Sequence, residues 1–248
     1  MMVLDVSAAS WIGCVRSQNE DMVLVNSRFI REDSFQKQID LGPEDRLIIA
    51  VADGMGGHSR GDVASNDTLH NLRYFFYDIP SCLSEDEFNK AMSEWLKSIN
   101  NYIASKGRAD EQFKGMGTTL VGVAYYNGDF YSMNCGDSRL YRFRHHELVQ
   151  LTTDHSLSQT DADEKHTNVI TNCIGGGSHS SFIDLVRMTD DLSRGDVLLL
   201  CSDGLTDMIP DEAISELLDQ HADADALCQA AIQAGGLDNV SCCVITVK

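Results

Sequence analysis

The chain alternates between two kinds of apolar pattern, one recurring every second position or running unbroken, the other recurring every three or four. The first kind dominates. Runs near 3–9, 21–30, 46–53, 117–126, 129–134, 138–143, 182–188, 196–201 and 239–247 predict strands. The second kind is confined to two places. From Ser84 the sequence Ser-Glu-Asp-Glu reads as a capping box closed by Glu87, and Phe88, Met92, Trp95, Leu96, Ile99 and Ile103 follow at helical spacing. A preceding segment from about Ser59 to Tyr77 carries Ala64, Thr68, Leu72, Phe75 and Phe76, and Pro80 separates the two, which predicts an antiparallel helix pair. Near the end, Pro210 fits a first helical position, Asp211 and Glu212 suit the positive end of a helix dipole, and Ile214, Leu217 and Leu218 form a stripe. Leu227, Ala231 and Ile232 form a second one. Two helix pairs flanked by strands predict an α+β protein. Its architecture is a four-layer α-β-β-α sandwich, with two antiparallel sheets and helix pairs on both outer faces.

Composition narrows this picture. With 248 residues, 43% apolar and 23% charged, and no linker, repeat or low-complexity tract, the chain is expected to form one domain over residues 1–248. A balance of −19 repels phosphodiester backbones and anionic lipid, so neither nucleic acid nor a membrane is an expected partner. The start lacks a basic n-region with a long apolar stretch, and no apolar run approaches about 20 residues, so a cytoplasmic location is expected. The eight cysteines contain no Cys-x-x-Cys pair, and Cys242 and Cys243 are neighbours on a strand that face opposite ways. Reduced, mostly buried thiols are expected, without structural zinc.

The chemistry lies at strand ends. The apolar strand Leu47 to Ala52 finishes in Asp53-Gly54-Met55-Gly56-Gly57-His58, delivering a carboxylate from a rigid mount to a place where backbone can approach a ligand. Val197 to Cys201 repeats the grammar with Ser202-Asp203-Gly204, and Asp238 precedes the final strand. One Asp-Gly is an ordinary turn; two behind fully apolar strands are not. A further cluster, Arg16-Ser17-Gln18-Asn19-Glu20-Asp21, precedes the strand at Met22. Carboxylates brought together suppress one another's ionisation, so the pattern implies a bound cation or shared protons, and oxygen ligands without His or Cys point to magnesium or manganese.

These motifs, with Gly117-Thr118-Thr119, Asn134-Cys135-Gly136-Asp137-Ser138-Arg139 and Leu151-Thr152-Thr153-Asp154-His155-Ser156, occur in the order of the metal-dependent serine/threonine protein phosphatases of type 2C. The chain resembles the bacterial branch of that family over nearly its whole length. The resemblance implies a beta-sandwich with two metal ions, manganese or magnesium, in a cleft at one end, and a third, weaker ion. By the same resemblance Asp53 bridges both metals, Asp203 and Asp238 hold the first, and the Gly54 carbonyl with Glu20 serves the second. Asp21 orders metal-bound waters, Arg16 grips the phosphoryl oxygens, and Asp137 with Asp203 forms the third site. The implied reaction is in-line attack by metal-bound hydroxide on a phosphomonoester of a phosphorylated protein, without a covalent enzyme intermediate, in a signalling circuit opposite a kinase. No cysteine is followed by Arg at the Cys-x5-Arg spacing of a thiol phosphatase.

The match departs from the family in three places. Met55 stands where many eukaryotic members place a His, leaving His58 to help through a water or to serve the helix start. The helix after the glycines reads Ser-Arg-Gly-Asp-Val-Ala-Ser, and Arg60 and Asp62 are expected to leave the metals untouched. The segment from His155 to Asp184, the counterpart of the family's flap, is short and polar, with Asp161, Asp163 and Glu164; it reads either as a tuner of substrate choice or as a solvated loop. His145 and His146 read as a hairpin turn, and Thr118 and Thr119 as strand entry. The rivals to catalysis are a pseudophosphatase, which binds a partner without turnover, and a metal-dependent phosphodiesterase.

Overall fold

The computed structural model describes residues 2–56, 60–157, 169–178 and 180–248. His58 and part of the flap counterpart, including Asp161, Asp163 and Glu164, lie outside the described residues.

Two six-stranded antiparallel sheets carry the fold. The first runs β11 (Glu147–Gln150), β10 (Arg139–Arg144), β16 (Val197–Cys201), β17 (Val240–Val247), β1 (Met2–Trp11) and β4 (Asp33–Leu41). The second runs β15 (Asp184–Arg187), β9 (Asp129–Cys135), β8 (Leu120–Tyr126), β5 (Leu47–Ala52), β2 (Met22–Val25) and β3 (Arg28–Ile30). Two small ladders complete the set: β14 (Ile174–Gly175) with β7 (Gly117–Thr118) and β6 (Gly54–Met55), and β12 (Ser156–Leu157) with β13 (Val169–Ile170).

The period of two explains the layering. On β5, Leu47, Ile49 and Val51 face the layer between the sheets, where they meet Leu198 and Leu200 of β16 and Cys243 and Ile245 of β17. Their neighbours Ile48, Ala50 and Ala52 face α1 (Gly61–Asp78) and α2 (Glu85–Ala109). On the other sheet, Leu199, Cys201 and Cys242 face α4 (Asp211–Asp219) and α5 (Ala224–Gln233). Strands buried on both faces must be apolar at every position, which is why their sequences show no alternation. Cys242 and Cys243 do face opposite layers, and all eight cysteines are free, six of them buried.

The capping box at Ser84 is complete, and every stripe residue of α2 from Phe88 to Ile103 is buried. Pro210 is the residue before α4 rather than its first helical position, with an extended ψ of 160°, and Asp211 opens the helix. Strand β4 was not legible: Phe35, Ile39 and Leu41 reach the inner layer, but Lys37 interrupts their alternation on this exposed edge. The run 21–30 is a hairpin that turns at Asn26, φ 57°. The run 117–126 breaks at Thr119, where the chain leaves the small ladder beside Gly54 to enter the large sheet.

Candidate active site

Eight predicted positions meet at one end of the sandwich, where strands of both sheets terminate. Asp53 directly follows β5 and Asp203 follows β16 through Ser202, so the two carboxylates arrive from different sheets. Their carboxyls lie close enough to shift one another's titration. Asp53 also feels the charges of Asp21 and Asp137, and Asp21 those of Asp203 and Asp238. Arg16 pairs with Asp238 and lies within the fields of Asp53 and Glu20.

Burial dominates the electrostatics. It pushes the Asp21 and Asp137 carboxyls up to about 7 and Asp203 to about 6, and holds Asp53 well above the usual carboxylate range; neighbouring carboxylates add to each shift. Glu20 is raised too, chiefly by burial, although it accepts a hydrogen bond from the Gly61 amide at the start of α1 at 3.0 Å.

The backbone around Asp53 is fixed by threonines that the sequence marked only as strand entry. The Asp53 amide donates to Thr119 Oγ1 at 3.1 Å, while the Asp53 carbonyl accepts from the Thr119 amide at 2.9 Å and from Thr118 Oγ1 at 2.8 Å. Thr119 Oγ1 also meets Ser138 Oγ at 2.7 Å, which ties the Asp53 strand end to the turn that carries Asp137. Gly54 follows in β6 because only hydrogen fits: a Cβ there would stand 2.4 Å from the carbonyl oxygens of both Glu20 and Gly61.

A buried polar network backs Glu20 and Asp21. Ser202 Oγ donates to Asp21 Oδ2 at 2.9 Å, and the Asp21 amide donates to Asn19 Oδ1 at 3.0 Å. Asn239 Oδ1 accepts from the Glu20 amide at 2.9 Å, while its Nδ2 donates to the carbonyls of Ile12 and Gln18, both at 3.0 Å. Arg31, whose charge is disfavoured by burial, donates to the Asp21 carbonyl at 2.6 Å and to Ser65 Oγ at 2.8 Å, joining the acidic loop to α1. Arg31, Ser202, Thr119 and Asn239 are the supporting residues that sequence reasoning missed. Asn239 and Ser202 had a signal as immediate neighbours of the strand-end aspartates, and Thr119 as part of the Gly-Thr-Thr motif; Arg31 had none. Asp207, one helical turn beyond Asp203, adds negative charge near Asp137 and Asp203. Arg60 pairs with Asp62 at 3.0 Å, as two residues that engage each other.

Among the described residues no three His, Cys, Asp or Glu side chains are closed into a ready-made metal cage. The donor set nevertheless fits hard divalent cations. It is all oxygen, burial with the neighbouring carboxylates pushes the Asp21 and Asp137 carboxyls up to about 7, and Asp21 Oδ1 is buried with no hydrogen-bond partner. A groove of about 990 Å³ beside Tyr74, Trp95 and Pro80 is on α1 and α2 and shares no residue with this site.

Comparison with known proteins places the chain. Residues 26–229 match the family model described as Protein phosphatase 2C. Protein phosphatase PhpP of Streptococcus pneumoniae is 31% identical over 260 residues, covering 99% of this chain and 98% of that protein. The S. agalactiae serine/threonine phosphatase has a structure similar to this one at a TM-score of 0.81 and 29% identity, over 99% of this chain and 100% of that one. The catalytic domain of the serine threonine protein phosphatase PstP, solved with two manganese ions, aligns at a TM-score of 0.75 and 30% identity, over 100% and 99%. The chain belongs to the protein phosphatase 2C family.

Proposed function

We propose that this protein hydrolyses phosphoserine and phosphothreonine monoesters on proteins with the help of two divalent cations, manganese or magnesium. The observation that carries this reading is the convergence of Asp21, Asp53, Asp137 and Asp203 with raised carboxyl pKa values at one sandwich end. Asp53 would hold both cations, Asp203 and Asp238 the first, and Glu20 with the Gly54 carbonyl the second. Asp137 and Asp203 offer a third, weaker site. When bound, the cations supply Lewis acidity toward water and phosphoryl oxygen.

The chain's own groups do the rest. Asp21, anchored by Ser202, orients water at the site. Arg16 is half exposed on its Asp238 partner, so its planar fork can swing to the equatorial oxygens of a phosphoryl group and stabilise the charge that develops there. No side-chain nucleophile is called on. Burial drives the Cys135, Cys201, Cys242 and Cys243 thiols far from ionisation, so they are inert.

Residues 1–248 act as one catalytic domain, because β1 and β17, from the two ends of the chain, pair along the middle of one sheet. The free thiols suit a reducing, cytoplasmic setting, and no helix among the described residues is long and apolar enough to cross a membrane. An opposing kinase supplies the substrate class. A pseudophosphatase is not favoured, since Arg16, Glu20, Asp21, Asp53, Gly54, Asp137, Asp203 and Asp238 are all of the type that turnover needs. The test is aryl phosphate hydrolysis by metal-stripped protein given manganese, wild type against Asp53→Asn. The amide offers one good acceptor oxygen where bridging needs two, so the variant loses turnover. Equal rates would overturn the reading.

A further inference from the structure

We propose that His155 is a positioning residue for Asp137, and that through Asn172 it joins the base of the β12–β13 hairpin to the weaker cation site, an inference that rests on the functional reading above.

The argument starts from proton bookkeeping on one ring. His155 Nδ1 lies 3.1 Å from the Gly136 amide and 2.9 Å from Asn172 Nδ2. A backbone amide can only donate. The Asn172 side chain is oriented independently, because its Oδ1 accepts from the Phe182 amide at 3.1 Å, which leaves Nδ2 to donate to the Phe182 carbonyl and to His155. Nδ1 therefore receives two donors and carries no proton. The proton of the neutral ring is on Nε2, 2.9 Å from Asp184 Oδ2, where it donates.

This arrangement fixes the turn before Asp137 from two sides. The His155 amide donates back to the Gly136 carbonyl at 3.0 Å, closing a two-bond ring with the Gly136 amide. Gly136 has φ 132°, and a Cβ there would meet Thr119 Cβ at 2.6 Å, so the turn is pressed against the threonine that holds Asp53. The His155 side chain is only 9% exposed, although Asp184 is 51% exposed. On the other side, the Thr171 amide donates to the His155 carbonyl at 2.7 Å, and Ser156 and Leu157 pair with Ile170 and Val169. One side chain thus touches the hairpin base, the edge strand β15 and the Asp137 turn.

Two variants separate positioning from bulk. In His155→Asn the side-chain oxygen takes the place of Nδ1 and can still accept from Gly136, whereas His155→Gln carries its polar atoms too far out to do so. Manganese binding by calorimetry and amide exchange at Gly136 in chelator-treated protein are the readouts. His155→Gln is expected to weaken the weakest class of manganese sites by about tenfold or more, as loss of supporting hydrogen bonds around a metal ligand does, while the tighter class is kept. Gly136 exchange is expected to quicken in the same variant, with or without metal, and His155→Asn is expected to restore both. Wild-type behaviour in His155→Gln, or equal damage from both substitutions, would overturn the proposal, as would wild-type protein that binds no ion beyond the tighter class. If His155→Gln does not fold, Asp184→Ala decides through Gly136 exchange, and an unchanged rate overturns. Wild-type protein with no manganese binding at all would sink the functional reading, while the exchange measurement would still report on the His155–Gly136 link.

Discussion

Asp53 and Asp203 stand just past the ends of strands in different sheets, yet the two carboxyls lie close enough for each to shift the other's titration. Buried carboxyls so near one another give up their protons reluctantly, and a divalent cation bound between them would have to displace those protons.

The sign of the resulting pH dependence follows. In the unfolded chain an aspartate titrates near ~4, whereas in the fold Asp203 titrates at about 6, Asp21 and Asp137 at about 7, and Asp53 above the ordinary range. Between these limits the folded protein binds more protons than the unfolded one, so the contribution of the cluster to stability falls as pH rises. Chelator-treated protein should therefore melt at lower temperature at pH 8 than at pH 5, and manganese should raise the melting temperature far more at pH 8. A chain of this size moves by about 2–4 °C per ~1 kcal/mol, within reach of calorimetry. A manganese effect independent of pH would contradict the assignment.

Arg16→Ala should lower kcat/KM for aryl phosphate by about tenfold or more, equivalent to ~1.4 kcal/mol of lost transition-state stabilisation. Arg16→Lys should recover only part of this, because an ammonium cannot grip two oxygens at once. Steady-state kinetics with both variants at saturating manganese makes the comparison.

Thr119→Val keeps the shape of the side chain but leaves the Asp53 amide without its 3.1 Å acceptor. The expected cost is about 1–3 kcal/mol of stability, together with a fall in kcat larger than any change in KM. Thr119→Ser, which retains the hydroxyl, should stay near wild type. Urea unfolding and kinetics read the two effects separately.

Gly54→Ala should be among the most damaging single methyl additions. The new atom would lie 2.4 Å from two backbone oxygens, so the Glu20 loop and the start of α1 must part, at a cost at or above the usual ~1–3 kcal/mol of overpacking. Thermal unfolding and manganese titration should both report it.

Much of this was legible in the chain itself. The unbroken apolar strands ending in Asp53 and Asp203 announced both the buried sheets and the delivery of carboxylates, since a strand covered on two faces leaves chemistry only at its tips. The α2 stripe and its capping box were equally plain. What stayed hidden was support by contact across long sequence separations. Ser202 reaches Asp21 across 181 positions and Asn239 reaches Glu20 across 219, and their place beside a strand-end aspartate does not say which distant group they meet. Arg31 reads as an ordinary charged residue after a short strand, and its four acceptors become apparent only once α1 is folded against the acidic loop. The edge strand β4 escaped for a different reason, because a lone lysine erased its alternation.

Hanging the central pair of carboxylates from separate sheets makes the stacking of those sheets a setting of the enzyme. Leucines and isoleucines midway along β5 and β16 fix how far one sheet slides over the other, and thereby the distance between the Asp53 and Asp203 carboxyls. Catalytic lesions can therefore arise in greasy residues far from any substrate, without a charged group being touched.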